Sequence, residues 1–250
     1  MNDGAATTVV GVDIGGTGIK GALANLATGE LASERVRLDT PHPATPDSVS
    51  STVSALLEQM DIQGPIGITL PAVIRNGVVE TASNIDESWI GIDAVKLMES
   101  MTDRSVGVVN DADAAGIAEV RYGAGKGVGG VVVVITLGTG IGSALFVDGT
   151  LVPNTEFGHL HLHGADAEDW AAESIRERDQ LSWSQWGHRL QRYLEQIERV
   201  LWPHLIIIGG GVSKKSQKFL PYISLRTEVV PATLHNNAGI VGAALFAPRG

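Results

Sequence analysis

The sequence predicts a mixed α/β protein with a duplicated core, each half in the order β-β-β-α-β-α-β-α. Apolar, β-branched runs alternate with stretches of helical periodicity. A strand, a turn of glycine and threonine, and two more strands begin near residue 9 and again near residue 131, and glycine-rich residues 123–130 separate the two copies. We therefore interpret the chain as an internal duplication. One lobe is predicted at 1–122, joined by a C-terminal helix at 237–250, and the other at 123–236.

Periodicity and turn residues predict the elements of the first half. A meander of three strands is expected over residues 9–38, its third strand at 31–38, and Thr45-Pro46 starts a helix that continues to Met60. Gly64-Pro65 ends this helix before a buried strand. Residues 72–92 lack periodicity and are predicted to be a long loop. The remaining helix, strand and alanine-rich helix are expected at 92–101, 105–109 and 111–122.

The second half begins with a similar meander. Strands are predicted at 131–135, 143–147 and 150–152, with Asp148-Gly149 as a hairpin turn. A helix is expected over 168–178, and Ser182 to Gln185 matches a capping box that starts another helix. The apolar residues of that helix recur at helical spacing, which is typical of a core or dimer-forming face. A buried strand is predicted at 205–208, followed by a glycine turn that opens a helix carrying Lys214, Lys215 and Lys218. A further strand and a closing helix are predicted at 228–230 and 237–246.

Composition narrows the class of protein. With 250 residues and 44% hydrophobic content the chain can bury a large core, and no apolar run approaches a membrane span. A net charge of −10 argues against a binder of duplex nucleic acid. The absence of cysteine excludes disulfides and thiolate metal sites and is compatible with a reducing cytosol. We therefore expect a cytoplasmic protein without nucleic-acid or membrane partners.

The clearest functional signal lies between Val9 and Ala22. A strand ends in a carboxylate and is followed by glycines, a hydroxyl and a lysine, a combination that suits a bound phosphate: Asp13, Gly15, Gly16, Thr17, Gly18 and Lys20. Because a carboxylate repels phosphate, Asp13 predicts a Mg²⁺ ion held through water. Residues 16–21 also fit the dinucleotide motif G-x-G-x-x-G, but that motif opens a helix and a hairpin is expected here. No Walker A sequence fits, and a turn without a ligand is the remaining alternative.

Two later glycine turns resemble this one. They follow the strands at 131–135 and 205–208, and we expect them to bind the phosphate donor through these residues: Thr136, Gly138, Thr139, Gly140, Gly209, Gly210 and Gly211. The turns of the two halves could face each other across a cleft and hold a phosphate chain. The third turn could instead line an adenine slot.

Polar residues that suit a hydroxylated substrate follow in two places. Asn110 and Asp111 lie where a strand meets a helix, so they are either an N-cap or a substrate-orienting amide and a general base. Glu156 and His159 lie on either side of a loop glycine and suit the vicinal hydroxyls of a sugar.

Three histidines offer a different interpretation. His159, His161 and His163 alternate, so a strand would place them on one face as a transition-metal site, although no cysteine or acidic partner completes an evident set of ligands. Glu168 starts a predicted helix, where favourable charge at the helix N-terminus alone would explain it.

Five segments carry a resemblance to a known family. They are, in chain order, Asp13-Ile14-Gly15-Gly16-Thr17, Asn110-Asp111-Ala112, Leu137 to Gly142, Glu156-Phe157-Gly158-His159 and Gly209 to Ser213. In this order they resemble the ROK family of sugar kinases and repressors, over nearly the whole chain. Within the family the sequence is most similar to the actinobacterial branch that uses polyphosphate, through residues 13–22, 166–169 and 209–215. The resemblance implies an actin-like, ribonuclease-H-like two-lobed kinase, often dimeric, that phosphorylates the 6-hydroxyl of glucose.

The resemblance also implies roles for individual residues. It makes Asp111 the catalytic base and sets the turns at 15–17 and 138–140 against the donor phosphates. The implied glucose ligands are Asn84, Asn110, Asp111, Glu156, His159 and Glu168.

The sequence departs from the family pattern in three respects. Many members carry a cysteine-rich zinc motif after the Glu-x-Gly-His segment, which this chain lacks, so no zinc is expected. Many have lysine directly after Gly-Gly-Thr, where this chain has Gly18 and places the charge at Lys20. Only eight residues precede the first predicted strand, so the helix-turn-helix domain of the repressors is not expected.

Two phosphoryl donors, polyphosphate and ATP, are compatible with these motifs. Polyphosphate, a linear polyanion, should need a basic track, for which the candidates are Lys20, Arg121, Lys126, Lys214, Lys215 and Lys218. A solvated helix face is the alternative for Lys214 and Lys218. We expect a kinase that transfers phosphate from polyphosphate, or from ATP, to glucose. The alternatives are an ATP-dependent glucokinase or broader glucomannokinase, and a non-catalytic sugar sensor.

Overall fold

A computed structural model describes residues 8–82 and 85–248. The chain divides into two compact units, which we call unit 1 (Met1–Ala118 with Asn237–Gly250) and unit 2 (Glu119–Asn236). No helix among the described residues is long and apolar enough to cross a membrane.

The first half of the chain forms a five-stranded sheet, a small hairpin and three helices. In order, the elements are β1 (Thr8–Ile14), β2 (Ile19–Asn25), β3 (Val36–Leu38), α1 (Pro46–Met60), β4 (Ile66–Leu70), β5 (Ile74–Arg75), β6 (Val78–Val79), a 3₁₀ helix (Glu87–Trp89), α2 (Ala94–Thr102), β7 (Val106–Asn110) and α3 (Asp111–Tyr122).

The second half repeats the sheet and adds a longer helix. Its strands and α-helices are β8 (Val131–Leu137), β9 (Ile141–Val147), β10 (Thr150–Val152), β11 (His161–Leu162), β12 (Ala165–Asp166), α4 (Glu168–Ala171), α5 (Glu173–Arg178), α6 (Trp183–Leu201), β13 (Leu205–Gly209), β14 (Glu228–Pro231) and α7 (Ala238–Phe246). The 3₁₀ helices of this half are Phe157–His159, Gly211–Lys218, Leu220–Tyr222 and His235–Asn237.

The two large sheets have the same topology. Their strand orders are β3-β2-β1-β4-β7 and β10-β9-β8-β13-β14. In each sheet the central strand has one antiparallel and one parallel neighbour. In the first sheet β1 pairs antiparallel with β2 and parallel with β4. In the second sheet β8 pairs antiparallel with β9 and parallel with β13. This correspondence confirms the predicted duplication of a mixed α/β core.

A row of glycines lets α7 lie directly on the sheet of unit 1. Gly11, Gly67 and Gly107 are paired across β1, β4 and β7. A Cβ atom on any of them would overlap a backbone carbonyl of the segment 240–246. These strands therefore need glycine at the crossing, because a larger residue would push α7 away from the sheet.

Helix α6 supplies much of the core of unit 2. Its capping box is present as expected, with Ser182 accepting from the Gln185 N–H and Gln185 accepting from the Ser182 N–H. The apolar stripe belongs to one buried cluster with residues of β8, β13 and α4, and Trp186 donates its indole N–H to the Ala171 carbonyl of α4 at 2.9 Å. The core interpretation of this stripe is therefore confirmed.

The structure corrects two expectations in the first half. The long loop predicted at 72–92 contains the β5–β6 hairpin, whose turn, Asn76-Gly77, has φ of 51° and 84°. Asn-Gly is a strong hairpin signal because both residues tolerate positive φ. The third meander strand is only three residues long, because residue 31 makes an isolated bridge to Ala24 and pairing resumes at Val36.

Two predicted helices of the second half are irregular. The helix at 168–178 breaks at Ala172, where φ and ψ are −60° and 158°, and Ser174 bonds to the turn at 138–139 instead of continuing the first helix. The helix after Gly210 is a 3₁₀ segment with non-helical φ and ψ at Lys215.

Candidate active site

The turn between β1 and β2 is fixed by one backbone hydrogen bond and one bond from a threonine side chain. The Gly15 N–H donates to the Gly18 carbonyl at 3.1 Å, and the Thr40 hydroxyl donates to the Gly15 carbonyl at 2.5 Å. Gly16 and Thr17 are exposed, and a Cβ atom on Gly16 would meet nothing within 4 Å. The backbone of this turn is therefore accessible to an anion.

Asp13 is fixed beneath the turn by three neighbours. Thr69 donates its hydroxyl to Asp13 Oδ1 at 3.1 Å and accepts from the Ile14 N–H. The Lys20 ammonium lies 3.5 Å from Asp13 Oδ2. A Cβ atom on Gly239, in the first turn of α7, would lie 2.7 Å from Asp13 Oδ1. Thr69 and Gly239 were not identified from the sequence, since neither belongs to a recognisable motif.

Asn110 caps α3. Its Oδ1 accepts from the N–H groups of Ala112 and Asp113 at 2.8 and 3.0 Å, and its Nδ2 donates to the Ala72 carbonyl at 3.1 Å. The N-cap alternative therefore describes the side chain of Asn110 in this structure, and its contact with sugar stays a prediction.

Asp111 is the first residue of α3. It is partly exposed, and its Oδ1 accepts from the Ala112 N–H at 2.9 Å. A carboxylate at this end of a helix is stabilised in its charged form by the helix dipole. Asn84, the remaining sugar ligand expected from the first half of the chain, lies outside the described residues.

The turn between β8 and β9 occupies the same place in its sheet as the first turn and is one residue shorter. The Gly138 N–H donates to the Gly140 carbonyl at 3.1 Å, and Thr139 is exposed. Ser174, at the start of α5, donates its N–H to Gly138 at 3.1 Å and its hydroxyl to Thr139 at 2.6 Å. Ser174 thereby hydrogen-bonds the carbonyl groups of two turn residues, Gly138 and Thr139. The sequence did not reveal this role.

The third glycine turn packs against the second. Gly210 has φ of 81°, and a Cβ atom there would overlap the backbone of Leu137, one residue before Gly138. Gly209 pairs with Thr136 across β13 and β8. The structure thus brings together the residues of unit 2 that were expected to bind the donor.

A cluster of titratable residues lies beside the second turn. Glu168 Oε2 accepts from the Ile141 N–H at 3.0 Å, and Glu168 Oε1 lies 4.0 Å from His159 Nδ1. His159 Nδ1 is 2.8 Å from Asp166 Oδ2. A Cβ atom on Gly158 would overlap the Ile141 carbonyl, so the glycine between Glu156 and His159 allows this close packing.

The surroundings shift two of these groups. The hydrogen bond to Asp166 raises the pKa of His159, and the charges of Glu168 and Glu156 act in the same direction against the opposing effect of burial. Burial raises the pKa of Glu156, and the charge of Glu168 adds to this shift. An imidazole between carboxylates offers both donors and acceptors, as the hydroxyls of a sugar require.

The alternating histidines do not lie on one strand. His159 ends a 3₁₀ helix, His161 begins β11, and His163 has φ of 57° in the turn that follows. Among residues 8–82 and 85–248 no group of three or more histidine, cysteine, aspartate or glutamate side chains could hold a metal ion. The alternative of a histidine metal site is therefore wrong for the part of the chain that the structure describes.

Two of the expected track residues meet around one aromatic ring in unit 2. The ammonium groups of Lys215 and Lys218 lie 5.9 and 5.5 Å from the ring centre of Trp183, and the guanidinium of Arg176 lies 4.2 Å from it. Lys214 is exposed beside them. Arg121 and Lys126 are exposed on and after α3, and Lys20 belongs to unit 1.

Fold and site together define a class of protein. Two sheets of one topology, each with a glycine turn after its central strand, are the arrangement expected of the actin-like sugar kinases that the sequence resembles. The chain belongs to the ROK family, whose sequence profile matches residues 9–175.

Individual relatives extend this similarity to nearly the whole chain. The polyphosphate glucokinase of Mycobacterium tuberculosis is 49% identical over 236 residues, which cover 94% of this chain and 89% of the relative. The crystal structure of an inorganic polyphosphate/ATP-glucomannokinase from Arthrobacter is similar with a TM-score of 0.93 at 50% identity, covering 96% of this chain and 97% of that one. A ROK glucokinase from Streptomyces griseus, solved with glucose and AMPPNP, has the same fold with a TM-score of 0.81 at 24% identity, covering 96% and 99% of the chains. The expected actin-like fold class is confirmed.

Proposed function

We propose that this protein is a glucokinase that transfers a phosphoryl group from polyphosphate to the 6-hydroxyl of glucose. The observation that carries the proposal is the 49% identity to a polyphosphate glucokinase over 94% of the chain. Gly16, Thr17 and Thr139 in these turns are exposed, so a polyanionic donor can approach their backbone.

Glucose is proposed to bind through Glu156, His159 and Glu168 in unit 2. The His159–Asp166 bond occupies Nδ1, so Nε2 is the imidazole atom available to a hydroxyl. Glu168 is anchored through one oxygen to the Ile141 N–H and keeps the other for a second hydroxyl. Sugars are recognised by such fixed groups because adjacent hydroxyls each donate and accept. Asn84 and Asn110 complete the proposed set of ligands.

Asp111 is proposed to accept the proton of the 6-hydroxyl as it attacks phosphorus. Asp111 is the first residue of α3 and is partly exposed, so its carboxylate is accessible to a substrate hydroxyl. Phosphoryl transfer needs little more from the protein than positioning and stabilisation of charge, so one base is sufficient.

The donor is proposed to bind the three glycine turns, with Lys20, Lys214 and Lys215 adding positive charge. Asp13 fits a Mg²⁺ ion held mainly by water and phosphate, since it offers one carboxylate beside a threonine hydroxyl and not a cage of ligands. Bound there, Mg²⁺ would neutralise charge on the phosphate chain.

ATP is proposed as a second donor and mannose as a second acceptor. The support is the 50% identity to the Arthrobacter enzyme, whose name includes both ATP and glucomannokinase. A homodimer in the cytoplasm is also part of the proposal. The dimer rests on the family resemblance, and the location is compatible with a chain that contains no cysteine.

A panel of donors and sugars tests the proposal. Purified protein is incubated with Mg²⁺ and glucose, mannose or glucosamine, with long-chain polyphosphate or ATP as donor, and the sugar phosphate is quantified by mass spectrometry. We expect glucose 6-phosphate from both donors. Product from ATP alone would favour the ordinary ATP-dependent hexose kinase. Tight glucose binding by calorimetry without product from either donor would favour the sugar sensor.

A further inference from the structure

Arg37 lies on the first glycine turn. Its Nη2 donates to the Thr17 carbonyl at 2.9 Å, and its Nη1 lies 2.8 Å from Asp39 Oδ1. The arginine side chain is 48% exposed and that of Asp39 is 84% exposed. A guanidinium therefore flanks the open phosphate turn from β3, with part of its surface accessible to a ligand.

Gly18 makes room for this guanidinium. A Cβ atom on Gly18 would lie 2.6 Å from Arg37 Nε and 3.0 Å from its Cζ. The φ of Gly18 is not positive, so the backbone alone does not require glycine there. In this chain, a cation from the neighbouring strand occupies the space that a side chain at 18 would need.

Arg37 also ends a row of polar side chains across the sheet. Arg37 pairs with Lys20, and Lys20 pairs with Asp13, which pairs with Thr69 on the other side. Residues directly opposite on adjacent strands project from the same face. Two strand spacings separate Arg37 from Asp13, which is about 10 Å. A chain of several linked phosphates can span that distance.

We propose that Arg37 binds a donor phosphate beyond those held by the turn, and that Gly18 is glycine so that the guanidinium can take this position. The inference rests on the proposed function. Every unit of a polyphosphate carries negative charge, whereas a nucleotide continues beyond its phosphates in a neutral sugar. Arg37 is therefore a specificity-determining residue that favours the polymer over ATP.

Bracing the turn is the competing role for Arg37. Its pair with Asp39 is exposed, and such pairs contribute little to stability because both charges are well solvated. The bond to Thr17 uses only one N–H of a guanidinium that has five. If Arg37 only braced the turn, removing its side chain would make the turn less ordered and would reduce activity with both donors equally. A selective loss with one donor therefore distinguishes the two roles.

The test compares Arg37→Ala with Arg35→Ala, which removes the same charge from an exposed residue just before β3. With glucose saturating, kcat/KM is measured for long-chain polyphosphate and for ATP over a range of salt concentrations. For Arg37→Ala we expect about a tenfold loss with polyphosphate, the effect of one charge-assisted hydrogen bond, and less than about a threefold loss with ATP. The slope of log kcat/KM against log salt should become shallower by about 1 for polyphosphate. Arg35→Ala should match the wild type.

A second variant tests the part played by Gly18. Gly18→Ala keeps every charge but displaces the guanidinium, so it should reproduce the loss with polyphosphate. Combining it with Arg37→Ala should add little further loss, because both changes remove one interaction. Equal losses with the two donors, or an unchanged salt slope, would overturn the inference. A wild-type enzyme inactive with polyphosphate but active with ATP would instead show that the proposed function itself is wrong.

Discussion

His159 Nδ1 and Asp166 Oδ2 lie 2.8 Å apart, and this bond determines which atom of the imidazole is available to a ligand. The neutral ring donates its Nδ1–H to the carboxylate and keeps a lone pair at Nε2, whereas the protonated ring also donates from Nε2. Asp166 is therefore a positioning residue for His159. The sequence motif that ends at His159 does not contain it, although the two residues are only seven positions apart.

Asp166→Asn should weaken glucose binding more than it slows turnover. The substitution preserves shape but removes the charge that orients and stabilises the imidazole, so we expect KM for glucose to rise about three- to tenfold with kcat changed less. Steady-state kinetics at fixed donor concentration measure both constants. Asp169→Asn, on the exposed first turn of α4, is the matched control. Equal effects on kcat and KM would contradict a positioning role.

The same pair predicts a pH-dependent difference in stability. The hydrogen bond to Asp166, with the charges of Glu168 and Glu156, raises the pKa of His159 above its ordinary value of 6.5. The folded protein therefore binds this proton more tightly than the unfolded chain. The stabilisation is fully present below pH 6.5 and is lost as pH rises through the folded pKa.

Melting temperatures of the wild type and of Asp166→Asn test the direction of this pH dependence. They are measured between pH 5 and pH 9 in steps of about one pH unit. The wild type should exceed the variant most at the acidic end, and the difference should shrink with rising pH. NMR titration of the His159 ring should show a lower pKa in the variant. A difference in melting temperature that grows with pH would contradict the assignment.

Asp111→Ala should abolish turnover and leave the fold intact. The base contributes about 10²–10⁴-fold to the rate, whereas loss of a carboxylate from the start of α3 costs at most about 1 kcal/mol. Glucose 6-phosphate formation and the thermal midpoint report the two effects separately. Asp47→Ala, a similar change in the first turn of α1, serves as control. Activity close to that of the wild type would remove Asp111 from its proposed role.

Much of the fold could be predicted because caps, turns and periodic apolar patterns are determined by residues close together in the sequence. The cap at Thr45, the box at Ser182 and the glycine-rich separator each depend on residues within a few positions, and the duplicated meander is visible as repeated sequence. The break at Ala172 could not be predicted in this way. It depends on bonds from Ser174 to a turn more than thirty residues earlier, which no periodicity within the helix encodes.

In the candidate site, too, residues within contiguous motifs could be predicted, whereas residues that contact these motifs from elsewhere in the chain could not. The glycine turns and the Glu-x-Gly-His segment are contiguous motifs, so their residues were identified from the sequence. Arg37 and Thr69 touch those motifs from other strands, and no sequence motif includes either residue. Asp166 belongs to the segment 166–169 that carries part of the family resemblance, but its bond to His159 is visible only in the structure. An exposed arginine on a three-residue strand carries no local signal of function.

Lys214→Glu with Lys215→Glu should impair polyphosphate use more than ATP use. Reversing two charges next to the third glycine turn removes attraction along a polyanion and should make the salt slope for polyphosphate shallower by about 2. Arg192→Glu with Arg199→Glu changes the net charge equally on exposed positions of α6 and is the control. Initial rates with each donor at several salt concentrations measure the effect. Equal losses with both donors would contradict a basic track for polyphosphate at Lys214 and Lys215.

Glu119→Gln should destabilise unit 2 through a buried carboxylate that has several backbone partners. Glu119 is 1% exposed, and its oxygens accept from the N–H groups of Ala124, Thr233 and Leu234 at 2.7–3.1 Å and from the Thr233 hydroxyl. A carboxylate satisfies donors on both oxygens, whereas glutamine would turn an NH₂ group towards one set of them. Leaving that set unsatisfied costs about 1–3 kcal/mol. The free energy of unfolding from urea titration measures the loss.

The helix that carries Glu119 also carries Asp111 at its other end, so a lower activity of Glu119→Gln needs a control for stability. Glu58→Gln, on the exposed side of α1, makes the same chemical change and should leave the unfolding midpoint unaltered. The Glu119 side chain accepts from Ala124, just after α3, and from residues 233–234 near the other end of unit 2 in sequence. Its loss should therefore loosen both segments. Hydrogen exchange at the Ala124 and Leu234 amides should therefore accelerate together. Acceleration at only one of these amides would show that the carboxylate does not couple the two segments.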